Sequence, residues 1–314
     1  HTVTSISTMM MHGCESVKRV VAPMVGQSDA PFRSLCLKYG ATCVYSEMLY
    51  SDRIINDENY LDSYLPSCDH DFISLGYSSR PLVAQICGND PGVVGQAARI
   101  VAASGRVDAV DFNLGCPQDR ARDGLYGSYL LDRCHWPKVF ACVSAAINEL
   151  KPLGVPFFCK IRLLEGSDIL HTTKEFCKGL YDAGVRVLCI HGRTRGSARR
   201  RRCGPADLQT IGAVASYMQH YHAKQSHYLP NDIQRGFTVI ANGNIISPID
   251  ISRNIETVAR AMREAECEIG GLAGHCLVCE YNNRNNVWWN GCVMSGEGIL
   301  SNPSLFCSAL GKEA

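Results

Sequence analysis

The shortages in this sequence narrow the field before any motif does. Net charge is almost absent, at +1, so no global field draws the chain to nucleic acid, although a local patch stays open. Long apolar runs are missing too. The longest are short and broken by polar residues, and no segment reads as a membrane span. The opening HTVTSISTMMMHG has no basic stretch followed by a long apolar core, so it is not a secretory signal. Composition is otherwise that of a soluble globular protein, 46% hydrophobic and 19% charged. Cysteine is the exception, with 17 residues. They are scattered through apolar segments (Cys36, Cys43, Cys142, Cys159, Cys189), where a free thiol packs as a small hydrophobe. That pattern predicts a reducing, intracellular compartment, cytoplasm or nucleus. Cys276-Leu-Val-Cys279, with His275 beside it and Cys267 upstream, is the one close pair, and zinc would need a second pair at ligand spacing. No metal is expected.

Short β-rich runs recur at 19–24, 43–49, 81–88, 109–115, 156–163, 185–192, 237–244 and 291–298. Between them, apolar residues repeat near every 3.6 positions at 30–40, 91–105, 136–151, 173–184, 206–221 and 248–265. Gly40, Gly105 and Gly184 stand where three of these helices should stop. Strands alternating with helices require parallel pairing through right-handed crossovers. Eight such units close into an α/β fold, the (β/α)8 TIM barrel. Residues 1–18 read as an N-terminal extension, 19–306 as the barrel and 307–314 as the start of a further region. Residues 50–80, 222–236 and 266–290 stretch the pattern, as a loop with a weak helix and two insertions.

The runs begin apolar and end in residues with chemistry. In a barrel these ends share one face, where active sites lie. Cys116 ends the fourth run in DFNLGCPQDRARDG, ahead of Arg120 and Arg122. Lys160 lies within an apolar strand, where a cation is rare unless paired. It faces a flavin or neutralises a carboxylate such as Asp111 or Glu47. Gln85 and Asn113 hydrogen-bond a planar heterocycle or each other. His191 falls in register with Lys160 as a cofactor contact. Gly296 and Gly298 after the last run, with Asn302-Pro303 as a helix start, and the turn in ANGNI at 241–245 suggest a phosphate site built on main-chain N–H groups. RTRGSARRRRCG, at 193–204, is the densest basic stretch, and Gly124 and Gly127 make the loop after Cys116 a candidate lid.

Seven motifs in one order carry a resemblance: APMVGQSDAPFR, QICGNDP, DFNLGCPQ, KIRL, HGRTR, ANGNI and GCVMSGEGILSNPSLF. Over residues 20 to 306 the chain resembles the tRNA-dihydrouridine synthases, the eukaryotic type acting on D-loop uridines above all. The resemblance implies an FMN barrel that reduces uridine in tRNA, with NADPH as electron donor and Cys116 as catalytic acid. It implies that Pro23, Met24 and Val25 line the isoalloxazine and that Gln85, Lys160 and His191 meet its polar edge. Asn242, Gly243, Asn244, Gly296 and Glu297 would hold the ribityl phosphate, with Arg193 or Arg195 assisting. Asn113, Arg120, Arg122, Tyr126, Arg193 and Arg195 are the tRNA candidates. Glu297 stands where many relatives have Arg, in keeping with the eukaryotic branch. The family's C-terminal helical tRNA-binding domain is expected to be absent or truncated here. An FMN oxidoreductase acting on a small pyrimidine or enone, and a catalytically idle RNA-binding protein, are the alternatives.

Overall fold

The computed structural model describes residues 18–65, 80–199, 204–226, 236–269 and 292–306. Eight parallel strands form a closed barrel in sequence order. They are β1 (Arg19–Val21), β2 (Cys43–Tyr50), β3 (Leu82–Cys87), β4 (Ala109–Leu114), β5 (Phe157–Arg162), β6 (Val187–His191), β7 (Thr238–Asn242) and β8 (Val293–Ser295). The ring closes where β1 meets β8, with Arg19 opposite Val293 and Val21 opposite Ser295. All eight expected runs are strands; seven end before the expected boundary and β2 runs one residue past it, to Tyr50.

Six helices return the chain outside the ring: α1 (Ala30–Lys38), α2 (Pro91–Ala103), α3 (Trp136–Leu150), α4 (Ile169–Asp182), α5 (Leu208–Ser226) and α6 (Pro248–Ile269). Their starts are written in the sequence. Asp29, Asp90 and Asp168 each accept a main-chain N–H of the first turn, and a proline opens α1, α2 and α3. Their ends are written too. Gly40, Gly105 and Gly184 have φ of 95°, 69° and 114°, the left-handed region that glycine enters without a Cβ penalty.

The core has two layers. Inside the ring, Val20, Tyr45, Phe158, Cys189, Ile240 and Met294 interdigitate. Between ring and helices, Leu49, Ile86, Phe112, Ile161, Phe176 and Met218 belong to the larger cluster. The scattered cysteines do pack as hydrophobes: Cys36, Cys43, Cys142, Cys159 and Cys189 are all buried and unbridged. Desolvation pushes the thiols of Cys36, Cys142 and Cys189 up to about 12, far from reactive thiolate.

Three stretches depart from the expected pattern. The region after β2 forms two short helices, Ser51–Asn56 and Tyr60–Tyr64, and the rest of it lies outside the described residues. After β8 the chain turns helical at once, over Glu297–Ser301, and Asn302 both closes that helix and precedes the next. A 3-10 turn then runs from Pro303 to Phe306. The pair Cys276 and Cys279, with His275, and residues 200–203 of the basic stretch lie outside the described residues. Among the described residues no helix is long and apolar enough to cross a membrane, and no group of three metal-ligating side chains gathers.

Candidate active site

Cys116 sits two residues beyond β4 and is held from several sides. Asn113 Oδ1 accepts the N–H groups of both Gly115 and Cys116 at 3.0 Å. The Cys116 carbonyl accepts the Ser128 N–H at 3.0 Å and the Ser128 hydroxyl at 2.9 Å. Tyr129 donates its phenol to the Pro117 carbonyl at 3.2 Å. Arg162 Nε donates to the Gly115 carbonyl at 2.7 Å. Gly127, at φ 63°, presses on the cysteine so closely that an added Cβ would stand 2.8 Å from Cys116 Cβ. Of the two glycines named for a lid, Gly127 opens a packed turn: Gly127–Leu131 is a 3-10 helix with every residue buried. Burial raises the Cys116 thiol above its usual value, opposed by a main-chain hydrogen bond from Gln118 and by Arg162, Lys160 and Arg120. The thiol is therefore protonated at neutral pH.

Behind the thiol runs a buried polar relay. Gln85 and Asn113 bond each other, Asn113 Nδ2 to Gln85 Oε1 at 2.7 Å, and Gln85 Nε2 donates to Asp111 Oδ2 at 2.8 Å. The other oxygen, Asp111 Oδ1, is buried with no hydrogen-bond partner among the described residues. Burial pushes the Asp111 carboxyl up to about 7, against the pull of Gln85 and Lys160. Strand register creates this cluster: Gln85 pairs with Asp111 across β3 and β4, and Asn113 with Lys160 across β4 and β5.

The neighbouring floor is cationic. Arg162 pairs with His191 in register, and His191 with Asn242. Arg193 Nη1 lies 3.2 Å from His191 Nε2. Burial, then Lys160, Arg162 and Arg193, holds the His191 imidazole down to about 2, so it is neutral at any working pH. Burial also lowers the Lys160 ammonium and brings the Arg162 guanidinium down to about 10. Arg162 otherwise bonds only carbonyls, those of Gly115 and Thr194. Among the described residues no carboxylate is ion-paired with Lys160 or Arg162, although Asp111 acts on Lys160 through space. Such a floor suits an anionic group.

At the β7 and β8 ends two side chains bond to main chain. Asn242 Nδ2 donates to the Met294 carbonyl at 2.9 Å and ties the two strands together. Asn244, at φ 58°, closes on the 204–207 turn through Ala206 N–H at 2.7 Å and Ala206 carbonyl at 2.9 Å. Their amides brace the ring. Gly243, at φ 127°, leaves its surroundings no room for a Cβ, which would fall 2.5 Å from Ala206 Cβ. Gly298 abuts the Ile245 carbonyl, so the β7 and β8 loops touch at glycine. Beside Gly296, a Cβ would find only Ala22 Cβ at 3.7 Å and Met24 Sδ at 3.9 Å. That places the Pro23-Met24-Val25 turn next to the β8 end, with Val25 57% exposed. Glu47 holds this turn, accepting the Gly26 N–H at 2.5 Å.

The RNA candidates separate. Arg120 is exposed and reaches Tyr50 Oη at 3.4 Å; Tyr50 in turn bonds the buried Tyr126 at 3.2 Å. Arg122 is bound by its own helix, to Asp119 at 2.8 Å and Asp123 at 3.0 Å. Arg195 is paired twice with Asp132, at 2.8 and 3.1 Å. Sequence reasoning missed Tyr50, Ser128 and Asp132, and it named Gly127 for a lid and not for its packing against Cys116.

A family model described as "Dihydrouridine synthase (Dus)" matches residues 20–267. A Saccharomyces cerevisiae protein named tRNA-dihydrouridine(16/17) synthase, NAD(P)(+), is 34% identical over 249 residues, 79% of this chain and 52% of its own length. A Rattus norvegicus protein named as like that enzyme is 32% identical over 291 residues, 92% of this chain and 51% of its own. The chain thus spans about half the length of these curated relatives. Among solved structures, a candidate deoxyribose-phosphate aldolase of Toxoplasma gondii ME49 superposes with a TM-score of 0.52 at 10% identity, covering 96% of this chain and 97% of that one. That likeness concerns the barrel alone. With the family model spanning all but the last strand of the ring, the chain belongs to the dihydrouridine synthase (Dus) family.

Proposed function

We propose that this barrel is the FMN-binding catalytic part of a tRNA-dihydrouridine synthase that reduces D-loop uridines with NADPH as electron donor. The yeast relative is named for positions 16 and 17, and two neighbouring uridines are taken as the targets here. The observation that carries the reading is the Cys116 thiol at the open end of the barrel, its main chain held by Asn113 and Ser128 and its neighbour Gly115 by Arg162.

The residues present fit a flavin. Lys160, Arg162 and Arg193 supply positive charge around a neutral His191. Gly296 leaves open space for a close approach to its main chain, while Gly243 and Gly298 let the β7 and β8 loops pack beside it. Lys160 and His191 would meet the polar edge, and Pro23, Met24 and Val25 would cover the ring. Asn242 and Asn244 act by holding the phosphate-side loops, with main-chain groups as donors. Bound there, reduced FMN supplies the hydride that carbon 6 of uracil takes up.

The chain's own part is the proton. Carbon 5 gains it as the carbon 5–carbon 6 double bond is lost. A thiol with an ordinary pKa of roughly 8.5, raised further by burial, holds a proton at neutral pH and can deliver it. The relay through Asn113 and the grip of Ser128 fix where that thiol stands. Reaching a base in folded tRNA requires extrusion, and Arg120, joined to Tyr50 and through it to Tyr126, would contact the extruded nucleotide.

The test is mass-spectrometric mapping of dihydrouridine in tRNA from cells lacking the protein, complemented with wild type or Cys116→Ala. Loss at neighbouring D-loop positions, restored by wild type alone, is expected. Restoration by Cys116→Ala would end the acid assignment, and unchanged tRNA would end the proposed function.

A further inference from the structure

Beside the mouth, the rim holds a second concavity of about 320 Å³, between the turn after Cys116 and the loop after β5. Ser128, Asp132 and Trp136 line one side, and Glu165, Ser167 and Thr172 the other. Arg195 lines it too, and with Glu165 separates it from a smaller hollow edged by Arg122 and Tyr129. Ser128 links this cavity to the thiol. Its N–H and hydroxyl hold the Cys116 carbonyl, and its own carbonyl accepts Arg195 Nη1 at 3.1 Å.

Charge decides what could sit there. Arg195 is bound to Asp132 and lies 3.6 Å from Glu165. Arg133 lies 4.5 Å from the Trp136 ring centre and bonds Glu175 at 2.9 Å. The lining thus holds two arginines and two carboxylates, and both arginines are already engaged, Arg195 by Asp132 and Arg133 by Glu175 outside the cavity. A phosphate would have to displace Asp132 from Arg195 and then face that carboxylate and Glu165, which disfavours the RNA backbone and the pyrophosphate of a nicotinamide cofactor. An uncharged heterocycle meets no such penalty. The carboxylates keep lone pairs for N–H donors, and the hydroxyl of exposed Ser167 can meet a ring carbonyl. The volume suits one small planar group.

We propose that this cavity receives the base of the nucleotide next to the target, preferring a base with an imino N–H, uracil or guanine. The inference rests on the function proposed above and specifies its substrate. Of two adjacent uridines, one enters the mouth over Cys116 while the other occupies the rim cavity. The Ser128 link then lets the seated neighbour steady the turn that carries the thiol.

The test uses the full-length, FMN-loaded enzyme and tRNA transcripts that differ only beside the target, carrying uridine, cytidine or an abasic nucleotide on each side in turn. Expected for wild type is a kcat/KM highest with uridine and lower by roughly tenfold or more with the abasic neighbour, the scale of one lost base contact. Ser167→Trp, which fills the cavity from an exposed bend, should lower the uridine transcript to the abasic level and erase the difference. Its flavin absorbance and Tm should match wild type. Wild type indifferent to the neighbour, or Ser167→Trp still discriminating, overturns the inference. If all transcripts are reduced equally, the cavity assignment alone fails. If FMN-loaded enzyme reduces none, the proposed function fails and takes the cavity assignment with it.

Discussion

Asn113 and Cys116 are joined within one turn: the Asn113 side-chain oxygen accepts the Cys116 N–H at 3.0 Å while its amide nitrogen holds Gln85 at 2.7 Å. The thiol's position thus depends on a group that also spans two strands. Asn113→Ala should orphan two loop N–H groups and the Gln85 oxygen, costing about 2–4 kcal/mol. Asn113→Asp can still accept from the loop but cannot donate to Gln85. Expected is a large fall in kcat for the alanine variant and a smaller one for the aspartate variant, each with FMN absorbance retained. Equal kcat in both variants and wild type would remove the positioning role.

Gly127 is the second support. A Cβ there would meet Cys116 Cβ and its carbonyl oxygen at 2.8 Å, at a φ of 63°. Gly127→Ala combines left-handed strain with overpacking, about 2–4 kcal/mol together. Thermal melting should report the loss. Dihydrouridine formation should drop more steeply than flavin content, because the displaced atoms belong to the thiol's own residue.

Asp111 gives a pH signature. Burial lifts its carboxyl from 3.8 to about 7. Between those values the folded chain keeps a proton that the unfolded chain has released, so this group's contribution falls as pH rises and is flat above the upper value. His191, pushed from 6.5 down to about 2, works in the opposite sense, since the unfolded chain binds the proton there. Comparing Asp111→Asn with wild type isolates the first effect. Urea midpoints measured from about pH 4 to 8 should show the variant gaining on wild type up to about 7. A constant difference across that range would contradict the raised carboxyl.

Lys160 tests the cationic floor. Lys160→Met keeps the stem and removes the charge, and removing a desolvated cation should relieve the protein while weakening its hold on an anionic partner. Expected is an unchanged or higher Tm without flavin and an FMN Kd raised roughly tenfold or more, the scale of one charge-assisted bond. FMN titration by fluorescence quenching decides it. An unaltered Kd would place the flavin's charge elsewhere.

The architecture was legible because strand and helix periods, proline starts and glycine stops are local properties. Asp90-Pro91 and Gly105 bracket α2 within a stretch any reader can scan. Cys116 was legible for the same reason, as a thiol at a strand end. Side-chain partners were not. Whether Gln85 meets a ligand or Asn113 depends on the register of β3 against β4, which lies in neither strand alone. Asn242 and Asn244 look like phosphate ligands in ANGNI, yet their amides meet Met294 and Ala206, brought close by ring closure. Arg122 looks free in RARDG, yet its helix sets Asp119 and Asp123 against it. Non-local geometry chose among uses that the residue types left open.

The meeting of β1 with β8 has a consequence for biosynthesis. Val21 finds its last partner in Ser295, some 270 residues later, at translation speeds of about 5–20 residues per second. For tens of seconds the nascent chain carries a growing curved sheet whose first strand has one bare flank, the kind of template on which chains stick together. That order of emergence leaves the flank to be shielded during synthesis and brings the β7 and β8 ends together only as the final strand arrives.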